Sequence, residues 1–257
     1  MSLELFPLER SATHVAPGAV HVPDYLDEST QRRLVVEARD WMRPPAPMRA
    51  VRLPGGGTMT VKGTCLGRYW VPYRYTDVAE DTDGAPVKPL PGWLAQLGAD
   101  AVAHAYRDQE WRRRYVPDAA LVNFYEPGAQ MGLHQDKEEQ GDEPVVSFSV
   151  GASCIFRFGN TQTRGRPWTD IELRSGDLFV FGGPSRLAYH GVPRLIAGTD
   201  RGDLGIASGR LNITLRMTRL ADRAPRMAQR ATQRATRLAT QPVVDPPPRD
   251  HATGGDQ

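Results

Sequence analysis

From Ala120 to Met217 the chain reads as a succession of short strand-like runs: "ALVNFY", "VVSFSVG", "CIFRFG", "DIELRSGDLFVFGG", "LAYHGV" and "LNITLRM". Turn signals such as Pro127-Gly128 and Gly182-Gly183-Pro184 divide them. Many short strands at this spacing confine the chain to a β-sandwich or a jelly-roll barrel. Two helical patterns come first. Asp27 to Met42 has a polar cap region followed by Leu34, Val35, Ala38 and Met42 in helical spacing, and Pro44 and Pro45 stop it. The second runs from Gly92 to Arg107. The fold class expected is mostly β, of α+β type, with the helices flanking a jelly-roll core.

The 257 residues, 40% of them apolar, suit one core and a tail. No apolar run is long enough to cross a bilayer. The start "MSLELFPLER" lacks the basic and apolar order of a secretory signal, so a cytoplasmic, monomeric protein is expected. Cys65 and Cys154 lie in apolar runs and read as reduced, buried thiols. A net charge of +2 is too small to argue for nucleic acid by itself, and the preference for Arg over Lys has codon usage as its simpler explanation. From Leu220 the composition turns to low-complexity Ala, Thr, Gln and Arg ending in Pro and Gly. The expectation is one domain over 1–219 and a flexible basic tail over 220–257.

The run "RLNITLRM" alternates Arg210, Asn212, Thr214 and Arg216 with Leu211, Ile213, Leu215 and Met217. That is the period of a strand. Upstream, "NFYEPGAQMGLHQDKEE" places His134 and Asp136 two apart, on one face if the piece is extended. A lone His-x-Asp arises often by chance. A second histidine, His190, stands before a glycine in "LAYHGV". Two histidines and one carboxylate on a β-barrel form the facial set that binds non-haem Fe(II). His14, His21, His104 and His251 are poorer candidates by their placement. Such an iron needs an electron-rich co-substrate to activate O2. A 2-oxo dicarboxylate chelates the metal at one end and needs a cation at the other. Arg210 and Arg216 offer charge for both ends, and Asn123 and Tyr125 share a face from which both can donate hydrogen bonds. Alone, the two arginines fit a solvent-facing edge better; joined to the His/Asp/His set, they fit the co-substrate role better.

Together, "NFYEPGAQMGLHQDKEE", "PVVSFSVGASCIFRFG", "LRSGDLFVFGGPSRLAYHGV" and "RLNITLR" resemble the core of the AlkB family of Fe(II)/2-oxoglutarate-dependent dioxygenases. The likeness runs from about Pro47 to Arg219, and "LFPLER" and "APGAVHVPDYL" extend it toward the N-terminus. It implies a double-stranded β-helix core with a nucleotide-recognition lid over about 47–76. It implies Fe(II) on His134, Asp136 and His190, and 2-oxoglutarate with its distal carboxylate on Arg210 beside Asn123 and Tyr125. Asn212 and Arg216 would lie near the chelating end. His134, Asp136, His190 and Arg210 form the expected catalytic set. The reaction implied is oxidative demethylation of N-alkylated bases such as 1-methyladenine and 3-methylcytosine in DNA or RNA, with O2 consumed and formaldehyde and succinate released.

A base inside a duplex is out of reach, so it must be flipped or single-stranded. In "MTVKGTCLGRYWVPYRY", Trp70 is the candidate to stack on one side of that base and the ring of His134 on the other, with Met59 and Tyr75 lining the pocket. Trp70 filling a small core is the competing reading. Glu138 stands where the family commonly has Asp, which keeps a carboxylate for a cationic base but lengthens its reach. The Gly-rich run between His190 and Arg210 matches the family loosely, and Arg164 and Arg166 occupy an exposed loop. Two other functions fit: a related dioxygenase acting on a protein or small molecule, and a non-catalytic binding module. The second has no use for arginines that face inward.

Overall fold

In the computed structural model the described residues are 10–139 and 141–219. The tail from Leu220 and most of the "LFPLER" stretch lie outside them.

The chain starts with a hairpin, β1 (Thr13–Ala16) and β2 (Ala19–Val22), followed by α1 (Glu28–Trp41). A second hairpin, β3 (Arg49–Arg52) and β4 (Thr58–Leu66), leads to a small ribbon of β5 (Tyr69–Val71) and β6 (Arg74–Thr76). α2 (Gly92–Tyr106) and the short α3 (Trp111–Arg114) come next. The barrel strands follow: β7 (Ala119–Tyr125), β8 (Met131–His134), β9 (Val145–Gly151), β10 (Cys154–Phe158), β11 (Thr169–Leu173), β12 (Leu178–Phe181), β13 (His190–Leu195) and β14 (Arg210–Arg216). They assemble into an eight-stranded sheet, ordered β1-β2-β12-β9-β14-β7-β4-β3, and a four-stranded sheet, ordered β11-β10-β13-β8. This is the jelly-roll arrangement expected.

Strand alternation divides the interior into two cores. Leu211, Ile213, Leu215, Val146, Phe148, Val150, Leu178 and Val180 point from the large sheet toward the helices, where Leu34, Val35, Trp41, Leu94 and Val102 cover them. The opposite faces of β9 and β12 send Val145, Phe179 and Phe181 between the sheets, against Phe156, Phe158, Leu173 and Val192 of the small one. β14 lies between β7 and β9, and all seven of its residues are buried. Its polar face is therefore not an edge turned to solvent. α2 packs close enough on β14 that a Cβ at Gly98 would lie 2.4 Å from Leu215 Cδ1.

The helices keep their expected limits. Asp27 caps α1 by accepting from Thr30 N at 2.7 Å, and Met42 is its C-cap. α2 ends at Arg107 in the left-handed region, φ 53°. The expected strand over "LAYHGV" is corrected: Arg186 and Leu187 form a turn and strand pairing begins at His190. The stretch 47–76 also divides. β4 pairs with β7 along Lys62–Leu66 and extends the large sheet, so only the β5–β6 ribbon stands apart from it. The loosely matching run before Arg210 has a packing role, because Leu204 and Ile206 join the core under α1 and Arg39 donates to Gly205 O at 2.8 Å.

The N-terminal hairpin is held by one buried carboxylate. Asp177 accepts from both Arg10 guanidinium nitrogens (2.9 and 2.8 Å), from His21 Nε2 (2.9 Å), and from the main-chain N–H groups of Asp24 (3.0 Å) and Arg174 (2.9 Å). Burial alone would raise its pKa. The His21 and Arg10 hydrogen bonds and the backbone donors prevail and hold it down at about 2. A folded-state pKa below the ordinary value contributes stability that is present above about pH 4 and is lost as pH falls toward 2. The expected size is about 2 kcal/mol. Urea unfolding at a series of pH values should show this loss in the wild type and not in Asp177→Asn, which should be less stable at neutral pH by about 3 kcal/mol.

Candidate metal centre and co-substrate cleft

Register places the two histidines. β13 and β8 are antiparallel with His190 directly opposite His134, so both imidazoles rise from one face, their centroids 4.4 Å apart. His190 Nδ1 lies 2.9 Å from Ala188 O and His134 Nδ1 lies 3.0 Å from Gly132 O. A carbonyl only accepts, so each Nδ1 carries a proton and Nε2 is the ring atom left to face a metal. The Asp136 carboxylate stands between them, with Oδ1 3.7 Å from His134 Nε2 and Oδ2 3.7 Å from His190 Nε2. Among the described residues this is the one group of three such donors that could hold an ion, with all its ligand atoms within 4.8 Å of one another.

Asp136 does not reach this place as part of a strand, as expected from its spacing. β8 ends at His134, and residues 135–137 lie beyond the ladder. Side chains fix them instead. Gln135 Nε2 donates to Thr161 O (3.0 Å) and Leu187 O (2.5 Å), and Arg186 Nη1 donates to Asp136 O (3.0 Å).

The electrostatics suit a divalent cation. Burial favours a protonated Asp136, but Arg216 first, then His190 and His134, hold its carboxyl well below the usual range. Arg216 Nη2 lies 2.8 Å from Asp136 Oδ2 without the alignment of a hydrogen bond, so that oxygen keeps an open lone pair. Burial and the neighbouring His134 push His190 down to about 4, so it is neutral at physiological pH. Two imidazoles and one carboxylate, adjacent and partly open, match non-haem Fe(II).

A narrow cleft of about 50 Å³, partly open to solvent, adjoins these ligands. β14 pairs with β7 so that Arg210 faces Tyr125 and Asn212 faces Asn123, and all four side chains line the cleft. Arg210 is 1% exposed and donates to Ser149 Oγ at 2.7 Å, while its Nε and Nη1 have no protein partner. No carboxylate among the described residues pairs with it. A buried cation without a counter-charge is costly. The cleft therefore calls for an anion beside the metal ligands, and a dicarboxylate meets that demand.

The other expected contacts divide. Asn212 lines the cleft but spends its amide on Ser147 Oγ (2.8 Å) and Phe148 O (3.0 Å). Arg216 reaches the metal side, where it also donates to Glu139 Oε1 at 3.0 Å. Tyr75 hydrogen-bonds Glu139 and accepts from Arg216 Nη1 at 3.2 Å. Tyr75 is the direct ribbon partner of Trp70, so both rings rise from one face of β5–β6 and the Tyr75 phenol fastens that face to the centre. Trp70 is half-buried and also packs on the small core around Cys65 and Val71. Met59 is half-buried on the β4 face shared with Val61, which belongs to the core around Tyr125. Glu138 is half-buried and accepts from Lys137 N at 3.2 Å; burial raises its pKa. Arg68 and Arg74 pair with Asp77 and Glu80 near the surface.

Comparison with known proteins agrees with this geometry. Residues 18–216 match the 2OG-Fe(II) oxygenase superfamily. An "Alpha-ketoglutarate-dependent dioxygenase AlkB homolog" from Caulobacter vibrioides is 39% identical over 213 residues, covering 80% of this chain and 90% of its own. A "DNA N(6)-methyladenine demethylase ALKBH1D" from Arabidopsis thaliana is 30% identical over 226 residues, covering 79% of this chain and 50% of its own. The solved structure of OsALKBH1 superposes with a TM-score of 0.71 at 29% identity, covering 80% of this chain and 99% of that one.

Proposed function

The chain belongs to the 2OG-Fe(II) oxygenase superfamily and, within it, to the AlkB dioxygenases, and on that premise we propose that it removes N-linked methyl groups from nucleic-acid bases by oxidation. The observation that carries this reading is the joint presence, in one cleft, of the His134/Asp136/His190 donor set and the uncompensated Arg210. When bound, Fe(II) with 2-oxoglutarate and O2 supplies the two-electron oxidation of a methyl C–H bond, after which formaldehyde leaves the base. The chain's own part is binding and exclusion of water. His134, Asp136 and His190 hold the metal. Arg210, with Tyr125 and Asn123, takes the distal carboxylate of 2-oxoglutarate, and Arg216 and Asn212 lie toward its other end. Phe156, Phe181, Leu173 and Val192 wall the cleft with apolar surface.

DNA carrying 1-methyladenine or 3-methylcytosine, single-stranded or with the base flipped, is the proposed substrate, with direct-reversal repair in the cytoplasm by a monomer as its setting. The unit that does this is proposed to end at Arg219. Trp70 and Tyr75 share the ribbon face proposed to meet the base, with the His134 ring opposite Trp70 and Met59 at the side. Glu138 is proposed to favour a positively charged base. Glu138→Gln should then lower kcat/KM about tenfold on 1-methyladenine oligonucleotides, about 1.4 kcal/mol of transition-state binding. On a neutral lesion such as 3-methylthymine the loss should be smaller; equal losses on both would remove Glu138 from base selection.

The direct test is incubation with Fe(II), ascorbate, 2-oxoglutarate and methylated DNA and RNA oligonucleotides, single- and double-stranded, scored by mass. Succinate formed with no change in any oligonucleotide would sink the reading. The acid pairing of Arg68 and Arg74 favours one second reading, a protein or small-molecule substrate, since Asp77 and Glu80 offset positive charge on and beside the β5–β6 ribbon that a phosphate backbone would use. Methylated peptides in the same assay separate the two.

A further inference from the structure

The turn that leads into His190 contains a buried cation to which the reading above gives no part. Arg186 is 4% exposed. Its Nη1 donates to Asp136 O at 3.0 Å and its Nη2 donates to Glu139 Oε2 at 2.7 Å. The turn is itself anchored: Ser185 Oγ donates to Pro17 O at 2.8 Å and Arg186 N donates to Gly183 O at 3.0 Å. Arg186 thus joins the segment carrying one histidine to the segment carrying the carboxylate.

That link matters because Asp136 lies past the end of β8, where no strand ladder fixes its backbone. Glu139 extends the link. Its other oxygen accepts from Tyr75 and Arg216, and Arg216 returns to Asp136 at 2.8 Å. Two guanidinium groups and two carboxylates form a closed ring around the ligand. Without Arg186, the Asp136 carbonyl loses its donor and Glu139 draws Arg216 away from the Asp136 carboxylate.

We propose that Arg186 is a positioning residue for the metal centre, setting the Asp136 carboxylate through its main-chain carbonyl and through Glu139. The proposal rests on the metal-centre reading above. It predicts an effect opposite in sign to simple charge. Arg186 is a cation near a cation site, so its removal would tighten metal binding if it acted through space alone. Loss of a group that orients a ligand weakens binding, typically about ten- to a hundredfold.

The test is a Co(II) titration of the metal-free full chain followed by visible absorption, with far-UV circular dichroism as the fold control. Arg186→Met is expected to bind Co(II) about ten- to a hundredfold more weakly than the wild type, and Arg186→Lys, which reaches one acceptor rather than two, to fall between them. A folded Arg186→Met with equal or tighter affinity overturns the proposal. Should that variant not fold, Arg186→Lys decides, and an affinity equal to the wild type's overturns it. A wild type that binds no Co(II) would instead overturn the metal-centre reading, and this inference with it.

Discussion

Asp136→Asn is expected to lose formaldehyde release by at least about a thousandfold, more than 4 kcal/mol of barrier lowering, while the protein still folds. The amide keeps the shape of the carboxylate and removes the one anionic donor of the set. Two neutral imidazoles then hold a divalent cation without charge compensation. The cost to the fold is expected to be smaller. Arg216 is buried and would lose one of its two carboxylates, but it keeps Glu139 at 3.0 Å, which it shares with Arg186. Removing a sole partner costs about 3–5 kcal/mol, and here a second one remains. Formaldehyde assay, Co(II) titration and urea unfolding on one sample separate these effects. Retention of a tenth of the turnover would remove Asp136 from the ligand set.

Arg210→Met is expected to move stability and function in opposite directions. Arg210 is enclosed, with two guanidinium nitrogens unpartnered. Replacing such a cation with an apolar side chain of similar length should leave the melting temperature without 2-oxoglutarate unchanged or higher. The same change deprives a buried carboxylate of its counter-charge, which costs about 3 kcal/mol or more. The half-saturating 2-oxoglutarate concentration should therefore rise about a hundredfold or beyond. Thermal melts with and without 2-oxoglutarate, together with the dependence of succinate formation on it, check both halves. An unchanged 2-oxoglutarate requirement would take Arg210 out of the co-substrate site.

What was legible in the sequence was what depends on local pattern. The limits of α1 follow from Asp27 and the prolines after Met42. The polar and apolar faces of β14 follow from alternation. That Arg210 lies beside Asn123 and Tyr125 was implied by the family resemblance, whereas the register that sets Arg210 opposite Tyr125 and Asn212 opposite Asn123 is fixed only by the fold. Residues that act across long separations were not legible. Arg186, Glu139 and Asp177 look like ordinary surface charges in the sequence, yet each is buried by segments far from it in the chain. The hairpin β1–β2 was missed for a similar reason. Its strands have four residues each and depend on β12 and on Asp177 for their place.

By itself the sequence determined the strand alternation, the helix limits and the identities of the donor side chains, because backbone periodicity and side-chain chemistry are properties of neighbouring residues. The tertiary structure alone decided that Asp136 comes between the two imidazoles from outside any strand, that Arg216 is shared between two carboxylates, and that Arg210 is enclosed without a counter-charge. Burial and charge balance arise only when distant segments exclude water together, and no local pattern encodes which segments will meet.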